Sequence, residues 1–157
     1  GALAPQQGES MNEPIQNLIA DKGSDVLSVA PEASVLDAVH AMNKNGVGAV
    51  LVMDGGSLLG IFTERDVLRR VVERQLDAAT TQVNEVMTRE LVVIKPTVTV
   101  AEAMAVVTEK RCRHLPVLDL GAVVGMISIG DLTRWANRHR AIQVQQLVDF
   151  VTGRYPA

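Results

Sequence analysis

The sequence predicts a mixed α/β fold of the α+β kind, made of two tandem strand-helix-strand-strand-helix units. Their sheets should pack face to face, with helices on the flanks and one further helix at the C-terminus. Three observations predict this. The strand-to-turn junction "GIFTERD" at Gly60–Asp66 returns as "GMISIGD" at Gly125–Asp131, 65 positions later. At the same offset Pro31 meets Pro96, Val35 meets Val100, Ala38 meets Ala103, Asp54 meets Asp119 and Gly56 meets Gly121. Apolar residues make up 47% of the 157 and aromatics only 3%, so the core must be built from Val, Leu, Ile, Ala and Met. Two copies are too few and too long for a solenoid, whose repeats run roughly 20–50 residues in three or more copies. Two paired subdomains, each incomplete alone, fit better.

Each copy reads the same way. "VLSVAP" and "LVVIKP" are β-branched runs closed by proline, hence a short strand and a stop. Val35, Ala38, Val39 and Met42 then lie at the spacing of one helical face, and Val100, Ala103, Met104 and Val107 repeat it. Ser34 and Thr99 stand before these faces as N-caps, with Asp37 and Glu102 three residues on. "GAVLVMDGGSLLGIFT" and "HLPVLDLGAVVGMIS" are apolar strand pairs around Asp- and Gly-bearing turns, and each predicts a hairpin. A second helix follows each aspartate, "DVLRRVVERQ" and "DLTRWANRHR". The polar stretch 77–85 reads as a linker. Ile142, Val144, Leu147, Val148 and Val151 fit an amphipathic helix that covers the second unit or packs on another subunit; cover for its own chain is the favoured reading. Residues 1–10 read as a cloning remnant outside the fold, 11–80 as the first unit, 81–140 as the second and 141–157 as the C-terminal helix and tail.

Composition excludes several function classes. The net charge of −3 and the scarcity of stacking aromatics argue against a nucleic-acid binder, despite the basic cluster Arg134, Arg138, His139 and Arg140. One cysteine, Cys112, forms no internal disulfide and suits a reducing, cytoplasmic setting. Apolar runs are far shorter than the roughly 20 residues of a membrane-spanning helix. The three histidines have no metal-ligand spacing, and no Walker-type loop is present. Nothing in the sequence supports catalysis, and no catalytic cofactor is expected.

The doubled unit, the "EVMT" of Glu85–Thr88 leading into the second copy and the "RCRHLPV" of Arg111–Val117 resemble the tandem cystathionine β-synthase (CBS) domain pair, or Bateman module, over about residues 15–140. Short bacterial chains holding only such a pair are a known group. The resemblance implies a regulatory binder of adenine nucleotide (AMP, ADP or ATP), with NAD(H) or S-adenosylmethionine as alternative ligands and nucleic acid as an alternative partner. It also implies a homodimer, a flat disc of four CBS units, acting on an unidentified downstream protein.

A ribose offers two neighbouring hydroxyl donors, and one ionised carboxylate has two oxygens to accept them. In the family the last Asp of the G-h-h-[ST]-x-x-D pattern, where h is apolar, grips the sugar. Here it is Asp66 or Asp131, with Thr63 and Ser128 as hydroxyl contacts. The same residues also read as ordinary helix caps, in which the hydroxyl caps and the carboxylate stays free. The copies then diverge, since Arg65 in the first stands where Gly130 stands in the second. Arg113 and His114 fall at the family's phosphate positions, while Lys110 reads as a helix-dipole partner. In the first copy the matching slot has no charge, so Arg65 or Lys22 would have to meet a phosphate there. The adenine is expected near Val29, Ile94 and Pro116.

Overall fold

A computed structural model describes residues 11–138 and 141–154, so the predicted remnant 1–10 and the cluster members His139 and Arg140 lie outside the described residues. Helix α1 (Ile15–Lys22) comes first, then β1 (Ser28–Val29), α2 (Val35–Asn45), β2 (Ala49–Asp54) and β3 (Ser57–Thr63). One α-turn (Glu64–Asp66) runs into a π-helix (Val67–Val72). The second unit supplies α3 (Val100–Lys110), β4 (His114–Asp119), β5 (Ala122–Ser128) and α4 (Ile129–Ala136), and α5 (Ala141–Val151) closes the chain.

The sequence repeat is a structural repeat. Helices α2 and α3, and the hairpins β2–β3 and β4–β5, occupy matching positions in the two units. Even the irregularity recurs, between Val52 and Met53 in one hairpin and Val117 and Leu118 in the other. Strand β2 is buried on both faces, which fits its unbroken apolar run. Val50, Val52 and Phe62 face the helical side with Val35, Ala38 and Met42. Leu51 and Ile61 face the other way, against Val123 and Met126 of the second unit, so the two sheets meet as expected.

The first strands are shorter than predicted. Strand β1 is two residues, paired in parallel with β2, and its counterpart is a single bridge from Ile94 to Val117. The helix after Asp66 also differs: its hydrogen bonds span five residues, as in Glu73 N–H to Leu68 O at 2.9 Å, while α4 after Asp131 is regular.

The stretch read as a linker is instead stitched into the first unit. The Val83 and Asn84 N–H groups donate to Ala33 and Pro31 carbonyls, Val35 N–H donates to Thr81, and Val83 is fully buried. The segment ahead of the first unit does the same for the second. Ile15 and Gln16 N–H groups donate to Val98 and Pro96 carbonyls, and Val100 N–H donates to Glu13. Each unit is therefore completed by the leader of the other. Ile15, Leu18 and Ile19 sit in one core with Val100, Ala103 and Leu115, while Val83, Val86 and Met87 sit in the other.

Helix α5 departs from the favoured expectation. Leu147, Phe150 and Val151 are exposed, and the chain meets it near its start, where Val144 and Gln145 border a groove shared with Leu18 and Lys22.

Both glycines that open the repeated junctions lie under a leader. A Cβ on Gly60 would stand 2.7 Å from the Thr88 carbonyl oxygen and the Met87 sulfur, and one on Gly125 would stand 2.9 Å from Ile19 Cδ1. Backbone yields less readily than the tip of an isoleucine. Gly60→Ala is therefore expected to destabilise by about 1–3 kcal/mol, as overpacking does, and Gly125→Ala by less. Paired urea melts check the ranking, and equal effects would contradict it.

Candidate functional site

A cavity of about 700 Å³ opens between the two units. It lies within the usual size range of small-molecule sites. The end of β3 brings Thr63, Arg65 and Asp66 to it, and the start of β4 brings Arg113, His114 and Pro116. These six expected residues, drawn from both units, share one cleft. Arg111 ends α3 in a left-handed conformation, φ 53°, where the first unit has Gly46 at φ 61°. That turn ends the helix and leads the chain into the Arg113–His114 edge of the cleft. Arg69, Lys110, Arg111, Glu90, Leu91, Val92 and Thr88 also line the cavity. Lys110 thus borders the cleft as well as ending its helix. Thr88 belongs to the quoted "EVMT" motif; Arg69 and Glu90 carried no motif signal.

Asp66 is 4% exposed. Its Oδ2 accepts the Thr63 N–H at 3.0 Å and the Thr63 hydroxyl at 3.2 Å, while Asp66 N–H donates to the same hydroxyl oxygen at 3.3 Å. Its Oδ1 accepts the Thr88 hydroxyl at 3.0 Å and has Arg70 Nε at 3.6 Å. Arg70 also donates to the Met87 carbonyl at 2.7 Å. The cap therefore does not leave the carboxylate free, as the sequence reading supposed. It closes a reciprocal capping box, and its other oxygen holds the second leader.

Asp131 forms the same box with Ser128 but keeps different company. Its Oδ2 accepts the Ser128 N–H at 2.8 Å and the Lys22 ammonium at 2.6 Å. Its Oδ1 accepts Arg134 at 2.8 Å. Lys22 comes from α1, the leader of the first unit, and donates also to the Met126 carbonyl at 2.9 Å. Burial works to raise the Asp131 pKa, but the Lys22 and Ser128 hydrogen bonds outweigh it and hold the carboxyl below its usual range. Gly130 lies next to the Arg134 guanidinium: a Cβ there would meet it at 3.2 Å. Lys22, Asp131 and Arg134 border a separate groove of about 580 Å³ with Trp135, Arg138 and Val144.

Burial, then the neighbouring Arg113 guanidinium, lowers the His114 pKa despite the acids Glu64 and Asp131. At neutral pH the ring is an uncharged donor and acceptor, so Arg113 supplies the cation of that pair. Burial pushes the Cys112 thiol up, which fits a small structural residue. Val29 and Ile94 are not brought to the cleft. Val29 packs against the first-unit core and Ile94 is buried in the second, leaving Leu91, Val92 and Pro116 as the cleft's apolar wall. Among the described residues no His, Cys, Asp and Glu cluster fits a metal ion, and no helix is long and apolar enough to cross a membrane.

Comparison with known proteins agrees with this layout. The CBS-domain protein CBSX3, mitochondrial, of Arabidopsis thaliana is 33% identical over 90% of this chain and 73% of its own. The crystal structure of the CBS domain NE2398 superposes with a TM-score of 0.75 at 41% identity, covering 78% of this chain and 95% of the other. The CBS pair of MJ0100, solved with 5′-methylthioadenosine and S-adenosyl-L-methionine, shares the fold at a TM-score of 0.71 but only 18% identity, covering 81% and 98%. The CBS domain matches twice, at residues 20–73 and 83–138, one match for each structural repeat. Two matches in register with the two units make the family plain: the chain belongs to the CBS-domain proteins and carries a tandem pair.

Proposed function

We propose that the chain is a non-catalytic regulatory module whose inter-unit cleft takes an adenine nucleotide, ATP or ADP ahead of AMP. The observation that carries this reading is the charge of the cleft. Arg65, Arg69, Lys110, Arg111 and Arg113 border one cavity, against the acids Glu64, Asp66 and Glu90. An excess of guanidinium groups favours phosphate oxygens, which they meet in forked contacts. In this reading the ribose takes the place of the Thr88 hydroxyl on Asp66, beside Thr63, and Leu91, Val92 and Pro116 offer an apolar wall for the base. The ligands of the MJ0100 pair show that this fold can hold an adenosyl group in that protein. A sulfonium cation is the poorer match for this cleft, and NAD(H) the nearer alternative because it carries phosphates.

The module is further proposed to act as a homodimer. Leu68, Val72 and Leu76 recur every four residues after Asp66 and are 66%, 61% and 41% exposed. Leu68 and Val72 lie on one of the elements expected to face a second subunit, with Leu76 just beyond the left-handed turn at Gln75, and a nucleotide bound beside Arg65 and Arg69 would sit at the base of this stripe.

Titration calorimetry with ATP, ADP, AMP, NADH and S-adenosylmethionine tests the ligand. ATP is expected to bind, and Arg113→Ala to weaken it roughly ten- to a hundredfold, the worth of a hydrogen bond to a charged group. No heat from any of the five would end the reading. The lowered His114 pKa adds a pH signature. Phosphate favours the protonated ring, so ATP affinity should rise as pH falls through and below the ordinary histidine range, and His114→Gln should remove that rise. Light scattering tests the surface: Leu68→Glu with Val72→Glu should yield a monomer, and an unchanged mass would discard this interface.

A further inference from the structure

The two aspartates close the same motif with the same reciprocal capping box, yet their outer partners differ in kind. At Asp66 the leader supplies a neutral hydroxyl, Thr88 at 3.0 Å. At Asp131 the leader supplies an ammonium ion, Lys22 at 2.6 Å, and α4 adds the Arg134 guanidinium at 2.8 Å. Arg70 stays at 3.6 Å from Asp66 and spends its closest contact, 2.7 Å, on the Met87 carbonyl. Burial does not separate the two, since the side chains of Asp66 and Asp131 are 6% and 12% exposed; the difference is that two cations of its own chain bond the Asp131 oxygens.

We propose that Lys22 is a built-in counter-ion that plugs the second aspartate site, so that the chain takes one adenine nucleotide, at Asp66, while Lys22 stays in place. This rests on the reading that the motif aspartate grips the ribose. The geometry makes the plug specific. Lys22 ends α1 one residue before Gly23, which breaks the helix at φ 101°. The ammonium is held from two sides, by the Asp131 carboxylate and by the Met126 carbonyl at 2.9 Å on the strand that leads to it. A diol approaching Asp131 must displace the ammonium from the carboxylate and leave that cation without its counter-ion. Space is not the obstacle, because the groove beside Asp131 is about 580 Å³ and carries an indole, Trp135, with Arg138 4.2 Å above its ring. The obstacle is charge. The plug also reverses the role expected for Lys22 from the sequence: a phosphate ligand would lose affinity when removed, whereas a plug releases a site.

ATP titrations of the full chain, followed by calorimetry for stoichiometry, test this. The wild type should bind one ATP per chain, and Asp66→Asn should abolish that binding. Lys22→Ala should raise the stoichiometry to two, and Asp131→Asn in the Lys22→Ala background should return it to one. Lys22→Gln, which keeps the stem and a donor but not the charge, guards against a local loss of fold and should also expose the second site. Two sites in the wild type, or one site in both Lys22 variants with ATP still bound at Asp66, would overturn the plug and leave the nucleotide reading intact. No ATP bound by wild type and a first site gained in Lys22→Ala would support the plug and overturn the assignment of Asp66. No binding by any variant would overturn both.

Discussion

The exchange of leader segments decides what stands beside each aspartate. Because the chain ahead of the second unit closes the first, Thr88 lies along β3 and reaches Asp66. Because the chain ahead of the first unit closes the second, α1 packs on β5 and Lys22 reaches Asp131. The close approach at Gly60 and Gly125 is the steric condition for both crossings. A side chain at Gly60 would push the Thr88 backbone off the sheet and loosen a core and a site partner in the same step, whereas one at Gly125 would meet only the Ile19 side chain. Fold and site are therefore not separable here: the segment that buries the apolar face also sets the electrostatics of the carboxylate.

Magnitudes separate the two sites. At Asp66 a sugar hydroxyl would replace the Thr88 hydroxyl, one neutral donor for another, and the net change on the carboxylate is close to nil. At Asp131 a neutral hydroxyl would replace an ammonium ion in a half-buried setting. Hydrogen bonds between neutral groups are worth roughly 0.5–1.5 kcal/mol and those to charged groups roughly 1.5–3 kcal/mol. Part of that difference is screened because the Lys22 side chain is 40% exposed. A residue of about 1 kcal/mol is still a several-fold preference for the first site. The five cations bordering the Asp66 cleft act in the same direction for a phosphorylated ligand.

The repeat, the caps and the hairpins were legible in the sequence because they rest on local rules that act within a few residues. Ser34 and Thr99 accept the N–H groups three residues on, as their spacing implied. The cleft was half legible. Thr63, Arg65, Asp66, Arg113, His114 and Pro116 meet there because motifs at the ends of adjacent strands are brought together by the facing sheets. The adenine positions failed at Val29 and Ile94, whose side chains turn into the cores. Strand alternation fixes which neighbour faces the cleft, and a strand of two residues or one bridge gives too little pattern to set that phase. The leaders were misread for a different reason. A polar-looking stretch such as 77–85 reads as a linker unless one knows that Val83 inserts between α2 and the sheet. Which leader covers which unit is a long-range fact that periodicity does not carry. The partners of the two carboxylates, Thr88 and Lys22, follow from that exchange and were equally hidden, although both residues were in view.

The same network would link occupancy of the cleft, if the proposed function holds, to the surface. Asp66 ends one turn of α-helix, and the π-helix begins at the next residue. Arg70, within that π-helix, lies between the Asp66 carboxylate and the Met87 carbonyl of the leader. π-Helical turns are rare, are less well bonded than α-turns and gather at functional sites. The matching position after Asp131 is ordinary α-helix, so the repeat itself does not require the distortion. Arg70 shares Asp66 Oδ1 with Thr88 and is part of the turn that carries Leu68 and Val72 outward, so a ligand that took the place of Thr88 would act on an oxygen that Arg70 faces at 3.6 Å. Under the proposed function, the path from carboxylate to apolar stripe would be one side chain long. By linkage, a ligand can shift that stripe only by as much as it prefers one arrangement of the turn to the other. A helix already out of its best geometry is the element for which that preference need be smallest.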